Sequence, residues 1–352
     1  LQIIGNKAFY QTNIQKIEIP NNVKEIRENA FSQCHNLQSV EFSEKSKLQF
    51  IGDFAFANAK IQTIVIPSHV RSIGKSAFQY CINLQTVEIP DDSELNFIGY
   101  SAFCSTKINK LRIPDYLNNK NSDNFLLGMS SLDSIEISPF NKHYTYLDNG
   151  ILLYRENSEN IVYDSLIYAD KKVENITIPP YIKEIGSSSF QECSVKNVEF
   201  AEDSQCEKIG QHAFKSSQIE KIIIPAQVKI IESYAFYNCK KLQSVDFPED
   251  SKLFSISDNA FCGTSIKEIS FPSKVQIIGV QSFSGCKQLQ SIEFSEQSEL
   301  ISICDYAFVS STIKQIVIPS KVKQICGFAF SCCAYLESVE FLDNSECCII
   351  GN

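Results

Sequence analysis

The stretch Ile61–Pro90 reads IQTIVIPSHVRSIGKSAFQYCINLQTVEIP, and close copies of it recur along most of the chain. Each copy combines an alternating apolar segment with an Ile-Gly step, an Ala-Phe pair and then a Cys or another small residue. The recurring Phe occupies these positions: Phe9, Phe31, Phe56, Phe78, Phe103, Phe190, Phe214, Phe236, Phe261, Phe283, Phe308 and Phe330. Regular neighbours in this series are 22, 24 or 25 residues apart. A period in the twenties with apolar residues at fixed offsets predicts a leucine-rich-repeat solenoid.

Each repeat is expected to contribute one strand and one aromatic core residue. In Leu37–Phe42 (LQSVEF), apolar and polar residues alternate, which is the period of a strand with one buried face. The Ala-Phe pair places a ring in the interior, where neighbouring repeats complete the core. We therefore predict an α/β-type leucine-rich-repeat solenoid with a curved parallel β-sheet on its concave face. It should contain about thirteen stacked repeats and one β-hairpin insertion.

The repeat pattern divides the chain into three segments of one solenoid spanning residues 1–352. Regular repeats occupy 1–114 and 186–352, and the intervening segment, 115–185, is irregular. A solenoid grows by stacking, so a chain of this length needs no second core. The chain begins on Ile3-Ile4-Gly5 and ends on Ile349-Ile350-Gly351, which are the same step of the repeat. We interpret both ends as truncated within a repeat.

Composition restricts the classes of partner. Of the 352 residues, 43% are hydrophobic and 21% are charged, as in an ordinary folded protein, and the formal net charge is −9. An acidic chain without a basic stripe argues against nucleic acid, because its phosphates would be repelled. No segment reaches the ~20 apolar residues that span a bilayer, so we expect no membrane span.

The sequence contains no motif that is typical of catalysis or of a cofactor site. It lacks G-x-S-x-G, G-x-G-x-x-G, a P-loop and H-E-x-x-H, and its four His are scattered. No Cys or His spacing is typical of a zinc site. We therefore predict a protein that is not an enzyme, with no catalytic residue, no metal ion and no cofactor.

One outward position of the strands shows a pattern of its own. Between the last two apolar positions of each strand, acidic and non-acidic residues alternate after the first two repeats. Adjacent carboxylates would be ~4.8 Å apart, whereas skipping one repeat separates them by ~9.6 Å. Such acids keep a flat sheet soluble, or alternatively they form an acidic, partly apolar face for a basic or extended protein partner. The candidate partner-binding residues on the concave face are Glu41, Val65, Glu88, Arg112, Glu136, Glu199, Ile223, Asp246, Glu293, Val317 and Glu340.

The irregular segment contains a hairpin signal and a group of tyrosines. Asp148-Asn149-Gly150 lies between alternating apolar residues, and Asn-Gly suits a type I′ turn. Two interpretations are open: a protruding aromatic contact site, since Tyr is favoured at interfaces, or a spacer hairpin whose Tyr residues cover the sheet edge. We favour the spacer. The candidate contact residues of the other interpretation are Tyr144, Tyr146 and Tyr154.

The chain has fourteen Cys, and six of them follow the recurring Phe by three residues, mostly in alternate repeats. Such Cys would be ~9.6 Å apart, beyond the ~7 Å that a disulfide allows between Cα atoms, so we predict small buried hydrophobes. Cys304 and Cys326 replace the repeat Gly in adjacent repeats, and they are the candidate disulfide. The pattern fits a reduced protein, or an exported one that does not depend on disulfides.

Almost the whole chain closely resembles the repeat of BspA-like leucine-rich-repeat proteins. That repeat reads I-G-x-x-A-F-x-x-C-x-x-L-x-x-V-x-I-P-x-x-V, as in Ile73–Val87 and Ile277–Ile292. The irregular segment is similar to the N-x-x-Y-x-x-x-D-G-x-L-Y element of that family, although Asn149 stands where Asp is usual. The matching residues are Asn141, Tyr144, Asn149-Gly150 and Leu153-Tyr154. Ser/Asn/Lys-rich repeats of this kind look most like the surface antigens of parasitic protists.

The resemblance implies a curved solenoid that is displayed at the cell surface or outside the cell. It also implies adhesion to another cell or to a host or extracellular-matrix protein. We therefore predict a protein-binding repeat module with a protein partner at the cell surface. The alternative is a cytoplasmic scaffold, or the recognition module of a larger receptor or enzyme.

Overall fold

The computed structural model describes residues 1–119, 124–159, 161–342 and 344–351, and these ranges contain strands, turns and loops but no helix. They form two compact units. The first unit is Leu1–Asp148 with Leu152–Tyr163, and the second unit is Asn149–Ile151 with Asp164–Asn352. The organisation of 1–352 as a single solenoid domain stays a prediction.

The first unit contains thirteen strands within its described residues. They are β1 (Ile3–Ile4), β2 (Lys16–Ile19), β3 (Glu25–Ile26), β4 (Ser39–Phe42), β5 (Phe50–Ile51), β6 (Thr63–Val65), β7 (Ser72–Ile73), β8 (Thr86–Glu88), β9 (Phe97–Ile98), β10 (Lys110–Ile113), β11 (Ser134–Ile137), β12 (Tyr144–Leu147) and β13 (Ile151–Tyr154). Ile151, the first residue of β13, is grouped with the second unit.

The second unit continues the same pattern over its described residues. Its strands are β14 (Ser165–Ala169), β15 (Asn175–Ile178), β16 (Glu184–Ile185), β17 (Asn197–Phe200), β18 (Lys208–Ile209), β19 (Lys221–Ile223), β20 (Ile230–Ile231), β21 (Ser244–Asp246), β22 (Ser255–Ile256), β23 (Glu268–Phe271), β24 (Ile277–Ile278), β25 (Ser291–Phe294), β26 (Ser302–Ile303), β27 (Gln315–Ile318), β28 (Gln324–Ile325), β29 (Ser338–Phe341) and β30 (Ile349–Ile350).

A regular repeat contributes two strands, not the one that the sequence predicts. A long strand of three or four residues is followed by a two-residue strand at the Ile-Gly step. The Ile of this short strand is buried. The short strands of successive repeats pair in parallel, so that Ile26 pairs with Ile51 and Ile51 with Ile73. In the first unit the short strands form one sheet, β1-β3-β5-β7-β9, and long strands pair as β2-β4, β6-β8 and β10-β11. In the second unit the short strands stack from β14 to β30, and the long strands form β15-β17-β19-β21, β23-β25 and β27-β29.

The recurring Phe forms the core, as predicted. Within the first unit the rings from Phe9 to Phe103 stack with centroids 5.1–5.5 Å apart and planes within 10° of parallel. Within the second unit the rings from Phe190 to Phe330 stack at 4.8–5.4 Å. The spacing of parallel strands, ~4.8 Å, dictates this separation, which also suits offset aromatic stacking.

Turns, not helices, form the third side of each repeat, so the α/β label is not supported by the described residues. The residues two before and two after a recurring Phe adopt left-handed backbone angles, such as φ 55° at Asn29 and φ 62° at Gln33. Left-handed residues interrupt a right-handed helix. The backbone bonds to the next repeat instead, and the Phe31 amide donates to the Ala55 carbonyl at 2.7 Å.

Over the described residues the solenoid pattern makes about fifteen turns, so the predicted count of thirteen repeats is not confirmed. Some turns, such as the one that contains β14, carry no recurring Phe, so counting Phe residues underestimates the number of turns.

The predicted hairpin is present as β12 and β13, and the Arg155 amide donates to the His143 carbonyl at 2.9 Å. Its loop differs from a type I′ turn, because Gly150 is left-handed, at φ 85°, and Asn149 is not. A three-residue loop with a left-handed Gly is the next most common hairpin connection.

Candidate partner-binding face

The outward side chains of the long strands, here called the long-strand face, include every predicted partner-binding residue. Ten of the eleven are exposed, and Arg112 is half-buried. Strand register places the apolar members beside acidic ones: Val65 pairs with Glu88, and Ile223 pairs with Asp246. Ile223 remains 65% exposed, which is unusual for an isoleucine in the middle of a sheet.

The acids at the outward position of the long strands are here called the acidic column. In the first unit, neighbouring lysines form ion pairs with some of them. Lys16 Nζ lies 2.6 Å from Glu41 Oε1, and Lys110 Nζ lies 2.6 Å from Glu136 Oε2. The hydrogen bond from Lys16 lowers the pKa of Glu41, and the one from Lys110 lowers the pKa of Glu136. Arg112 is turned toward Asp91, with which it forms an ion pair. These contacts are exposed to solvent, so each contributes little to stability.

In the second unit the acidic column carries no such partners. Among the described residues, no Lys, Arg or His lies within ion-pair distance of the four alternating acids. Two of the four accept a hydrogen bond from a neutral serine: Ser244 Oγ donates to Asp246 Oδ2 at 2.7 Å, and Ser270 Oγ donates to Glu293 Oε2 at 3.0 Å. The four acids are Glu199, Asp246, Glu293 and Glu340. This unit therefore presents the stronger negative field on its long-strand face.

Grooves open on the long-strand face where an acidic strand meets the apolar strand that follows it. The first unit has a groove of about 700 Å³ beside Glu41 and Val65, and one of about 420 Å³ beside Glu88 and Arg112. The second unit has one of about 800 Å³ beside Glu199, and one of about 840 Å³ beside Glu293. We call the groove beside Glu199 the central groove of the second unit.

The central groove combines apolar walls with carboxylates. Its apolar lining includes Phe200, Ile223, Pro225 and Pro248. Its acidic lining consists of Glu199, Glu202, Asp203, Asp246 and Asp250, and it contains one cation, Lys221. Such a groove suits a ligand with an apolar body and basic side chains. The column acids, ~9.6 Å apart, cannot share a Ca²⁺ ion, whose ligands lie at about 2.3–2.6 Å.

The sequence missed part of this lining. Phe42, Phe200 and Phe294, which end the acidic strands, line three of the grooves, together with acids of the following turns such as Glu202 and Glu296. The signal that could have found them is the acid that follows one or two residues after each strand-ending Phe, as in FSE at 42–44 and at 294–296.

The hairpin tyrosines are not a protruding contact site. Tyr144 and Tyr154 are each only 3% exposed, and Tyr146 is half-buried. The Asn119 amide donates to Tyr144 Oη at 3.0 Å, and Tyr154 Oη donates to Asn118 Oδ1 at 2.8 Å. The rings therefore pack inside the first unit, because each hydroxyl reaches a polar partner at the core boundary. The spacer interpretation agrees better with these contacts.

The cysteines are free thiols, and the disulfide proposed between Cys304 and Cys326 is not formed. Each of the two residues directly follows a short strand, β26 or β28, and these strands pair in parallel. Five of the six repeated Cys are buried, as predicted, and Cys333 is half-buried. Cys239 Sγ donates to the Phe214 carbonyl of the preceding repeat at 2.9 Å. Burial raises the pKa of Cys81 to about 12 and that of Cys239 to about 11.

The described residues offer neither a metal-binding cluster nor a helix that could cross a membrane. Within the ranges that the structure describes, no group of three His, Cys, Asp or Glu side chains could hold a metal ion. The same ranges contain no helix of the length and apolarity that crossing a membrane requires.

The family model for the BspA type leucine rich repeat region matches residues 2–133, 160–255 and 254–351 in six copies. No curated protein sequence matches the chain significantly.

Among solved structures, the chain is similar to the pneumococcal vaccine antigen PcpA, with 22% identity and a TM-score of 0.69, over 93% of this chain and 79% of that one. It is also similar to a leucine-rich cell surface protein from Faecalibacterium prausnitzii, with 23% identity and a TM-score of 0.58, over 97% and 83% of the two chains. A leucine-rich repeat protein from Eubacterium ventriosum matches with 18% identity and a TM-score of 0.64, over 94% and 80%. At these identities the similarity shows the fold alone.

Proposed function

Because this chain belongs to the BspA type leucine rich repeat family, we propose that it is a non-enzymatic protein-binding module of the cell surface. Its task is adhesion, or contact with a host or extracellular-matrix protein. The observation that carries the proposal is the repeated groove of the long-strand face, in which exposed apolar side chains lie between carboxylates. Two structural neighbours, a vaccine antigen and a cell surface protein, support the surface location.

A role in solubility alone does not explain the face. Acids would be sufficient to keep a sheet edge or face from sticking, and a solubility column would gain nothing from apolar residues between them. Here Val65, Ile223 and Val317 occupy the intervening positions and are 42–65% exposed. An apolar centre with a charged rim is typical of protein–protein interfaces.

The location is tested by labelling intact cells with an antibody to this chain, before and after permeabilisation. Staining of intact cells is the expected result. Staining that requires permeabilisation would contradict display at the surface.

Binding is tested with a panel of extracellular-matrix and host-cell surface proteins immobilised at equal density. The variant Glu88→Lys with Glu293→Lys reverses one carboxylate in each unit, and both residues are exposed. We expect this variant to keep its melting temperature and to lose binding of basic partners. The control is Glu192→Gln with Asp305→Asn. Both residues are exposed, but they lie in the turns that contain the stacked Phe rings, here called the Phe ladder, and not on the long-strand face. Equal binding by both variants would exclude the long-strand face as the site.

The second candidate is an intracellular scaffold, or the recognition module of a larger receptor or enzyme. This candidate is compatible with a fold that forms no disulfide, because such a fold requires no oxidising compartment. The same cell-labelling experiment separates the two candidates, since the scaffold is stained only after permeabilisation.

A further inference from the structure

We propose that the long-strand face of the second unit docks a polyproline II segment that carries Lys or Arg at every third residue, with Pro or other apolar residues between. The segment runs across the strands, along the direction in which the repeats stack. This inference rests on the proposed function and specifies the chemistry of its partner.

The spacing of the carboxylates selects this conformation. Glu199 and Asp246 lie on β17 and β21, which flank β19 in one hydrogen-bonded sheet, so the two acids are two strand intervals, ~9.6 Å, apart. A polyproline II helix has three residues per turn and rises ~3.1 Å per residue, so residues i and i+3 point the same way, ~9.3 Å apart. Basic side chains at every third residue therefore meet successive acids of the column.

Other backbones fit the same spacing less well. In a β-strand, residues that share a face are ~6.7 Å or ~13 Å apart, and neither distance matches ~9.6 Å. In an α-helix, residues i and i+7 share a face at ~10.5 Å, so the mismatch is roughly 1 Å at each step and accumulates along the column. The mismatch of the polyproline II helix is roughly 0.3 Å at each step.

The apolar part of the groove fits the residues between the basic ones. In the central groove, Ile223 stands between the two acids, and Phe200, Pro225 and Pro248 form the walls around a volume of about 800 Å³. Aromatic and apolar grooves of this kind receive proline rings, which lose little conformational freedom on binding. The groove of about 840 Å³ beside Glu293 has a similar lining, in which Phe294, Val317 and Pro319 lie beside Glu293 and Glu296.

The two units differ in the cations that lie beside the acids of their long-strand faces. In the first unit, Lys16 and Lys110 already occupy acids of the column. In the second unit, the described residues place no Lys, Arg or His within ion-pair distance of the four column acids. A basic ligand therefore has no internal cation to displace there, although Lys221 at the strand start disfavours a basic residue beside it.

The test uses the full chain and synthetic ten-residue peptides, with binding measured by fluorescence anisotropy. The first peptide repeats Lys-Pro-Pro three times and ends on Lys. The second has the same composition, with Lys at its first, third, eighth and tenth positions, so only the spacing differs. We expect the first peptide to bind at least about tenfold more tightly, with an affinity that falls as salt rises. Equal affinity of the two peptides would overturn the inference.

Variants locate the binding to the second unit. Glu199→Gln with Asp246→Asn removes two column charges without changing side-chain size, and we expect binding to weaken about tenfold. Ile223→Ser should also weaken binding, and it should do so at high salt as well, because the lost contact is apolar. Neither Glu41→Gln nor the control Glu192→Gln with Asp305→Asn should change the affinity for the first peptide. An equal loss from Glu41→Gln would place the site elsewhere.

The outcomes distinguish this inference from the proposed function. If a protein from the surface panel binds, and the Glu199 and Asp246 variant abolishes it while peptide spacing makes no difference, the module function stands and the polyproline II partner is wrong. If that variant changes the binding of neither protein nor peptide, the long-strand face of the second unit is not the site and this inference is wrong. The module function is wrong only if no protein of the panel binds the chain.

Discussion

Single residues decide how tightly neighbouring repeats approach each other. Two kinds of glycine occur in the repeat, and they act for different reasons. Gly279 follows a short strand, where an added Cβ would lie 2.7 Å from the Ser257 carbonyl carbon and 2.8 Å from the Ile256 carbonyl oxygen. Gly285 follows the Phe283 turn at φ 69°, where an added Cβ would meet open space. The first glycine is needed for close approach, and the second for its backbone conformation.

We therefore expect the substitution of Ala for Gly to lower the free energy of unfolding by different amounts at these two positions. Gly285→Ala should lower the free energy of unfolding by about 1 kcal/mol, the cost of a left-handed alanine. Gly279→Ala should cost about 2–3 kcal/mol, because fixed backbone of the preceding repeat must move. Urea unfolding of the two variants measures both. Equal costs would show that the stack yields at Gly279.

Buried thiols predict a loss of stability at alkaline pH. Burial raises the pKa of Cys81, Cys206 and Cys286 to about 12, above the value of ~8.5 in an unfolded chain. The folded state therefore holds its thiol protons more tightly, so this stability is complete below pH ~8.5 and declines as pH rises toward 12. Each thiol contributes a slope of about 1.4 kcal/mol per pH unit in that range.

The check on this slope is urea unfolding between pH 8 and pH 11. Cys286→Ala, which removes a fully buried thiol, should reduce the dependence on pH. Cys332→Ala should leave it unchanged, because Cys332 is exposed. An identical slope in the wild-type protein and in Cys286→Ala would show that the buried thiol does not resist ionisation.

At the scale of the repeat, the Phe ladder ties each turn to the two beside it. Phe283 stacks on Phe261 at 5.2 Å and on Phe308 at 5.3 Å, and its side chain is fully buried. The backbone follows the same ladder, since the Phe261 amide donates to Ser282 and the Phe283 amide donates to Ala307. A defect in one ring should therefore be felt by the adjacent turns and fade beyond them.

Phe283→Ala is expected to cost about 3–5 kcal/mol, because a cavity remains in a core that cannot collapse freely. Hydrogen exchange should show lost amide protection in the turns of Phe261, Phe283 and Phe308, with little change in the first unit. Phe254→Ala is the matched control, since Phe254 is 45% exposed, and it should cost much less. Uniform loss of protection over the whole chain would contradict nearest-neighbour stability.

At the scale of the whole molecule, each of the two compact units contains its own stack of Phe rings. In a solenoid, stability is approximately the sum of repeat and nearest-neighbour terms, so a part can fold without the rest. The net charge of −9 keeps such a molecule soluble and repels acidic partners at long range.

The second unit expressed alone, as residues 164–352, is therefore expected to fold. Its melting transition should remain cooperative but lie at a lower temperature than in the full chain, because fewer repeat and nearest-neighbour terms contribute to its stability. Circular dichroism during heating measures this. A segment without a cooperative transition would show that the 352 residues fold only together.

The amino-acid sequence by itself determined the repeat, the parallel stacking, the buried Phe and the exposed column. These follow from local rules: side chains alternate along a strand, and an apolar residue at a fixed offset must be buried in every repeat. The family resemblance followed from the same residues and was confirmed by the match over most of the chain. The position of the column residues could thus be predicted, whereas their binding role stays a proposal.

Only the tertiary structure decided which features depend on contacts between repeats. The turns around Phe31 adopt left-handed angles, and their amides donate hydrogen bonds to the next repeat. The sequence of a single repeat therefore does not distinguish a turn from a helix at this place. The hydroxyls of Tyr144 and Tyr154 find partners at Asn119 and Asn118, which are 25 and 36 residues away in the sequence. The acidic column is partly neutralised in the first unit because long side chains such as Lys16 reach the acids of neighbouring strands, and the column acids of the second unit have no such cation among the described residues. Each of these depends on residues that are distant in sequence and adjacent only after stacking.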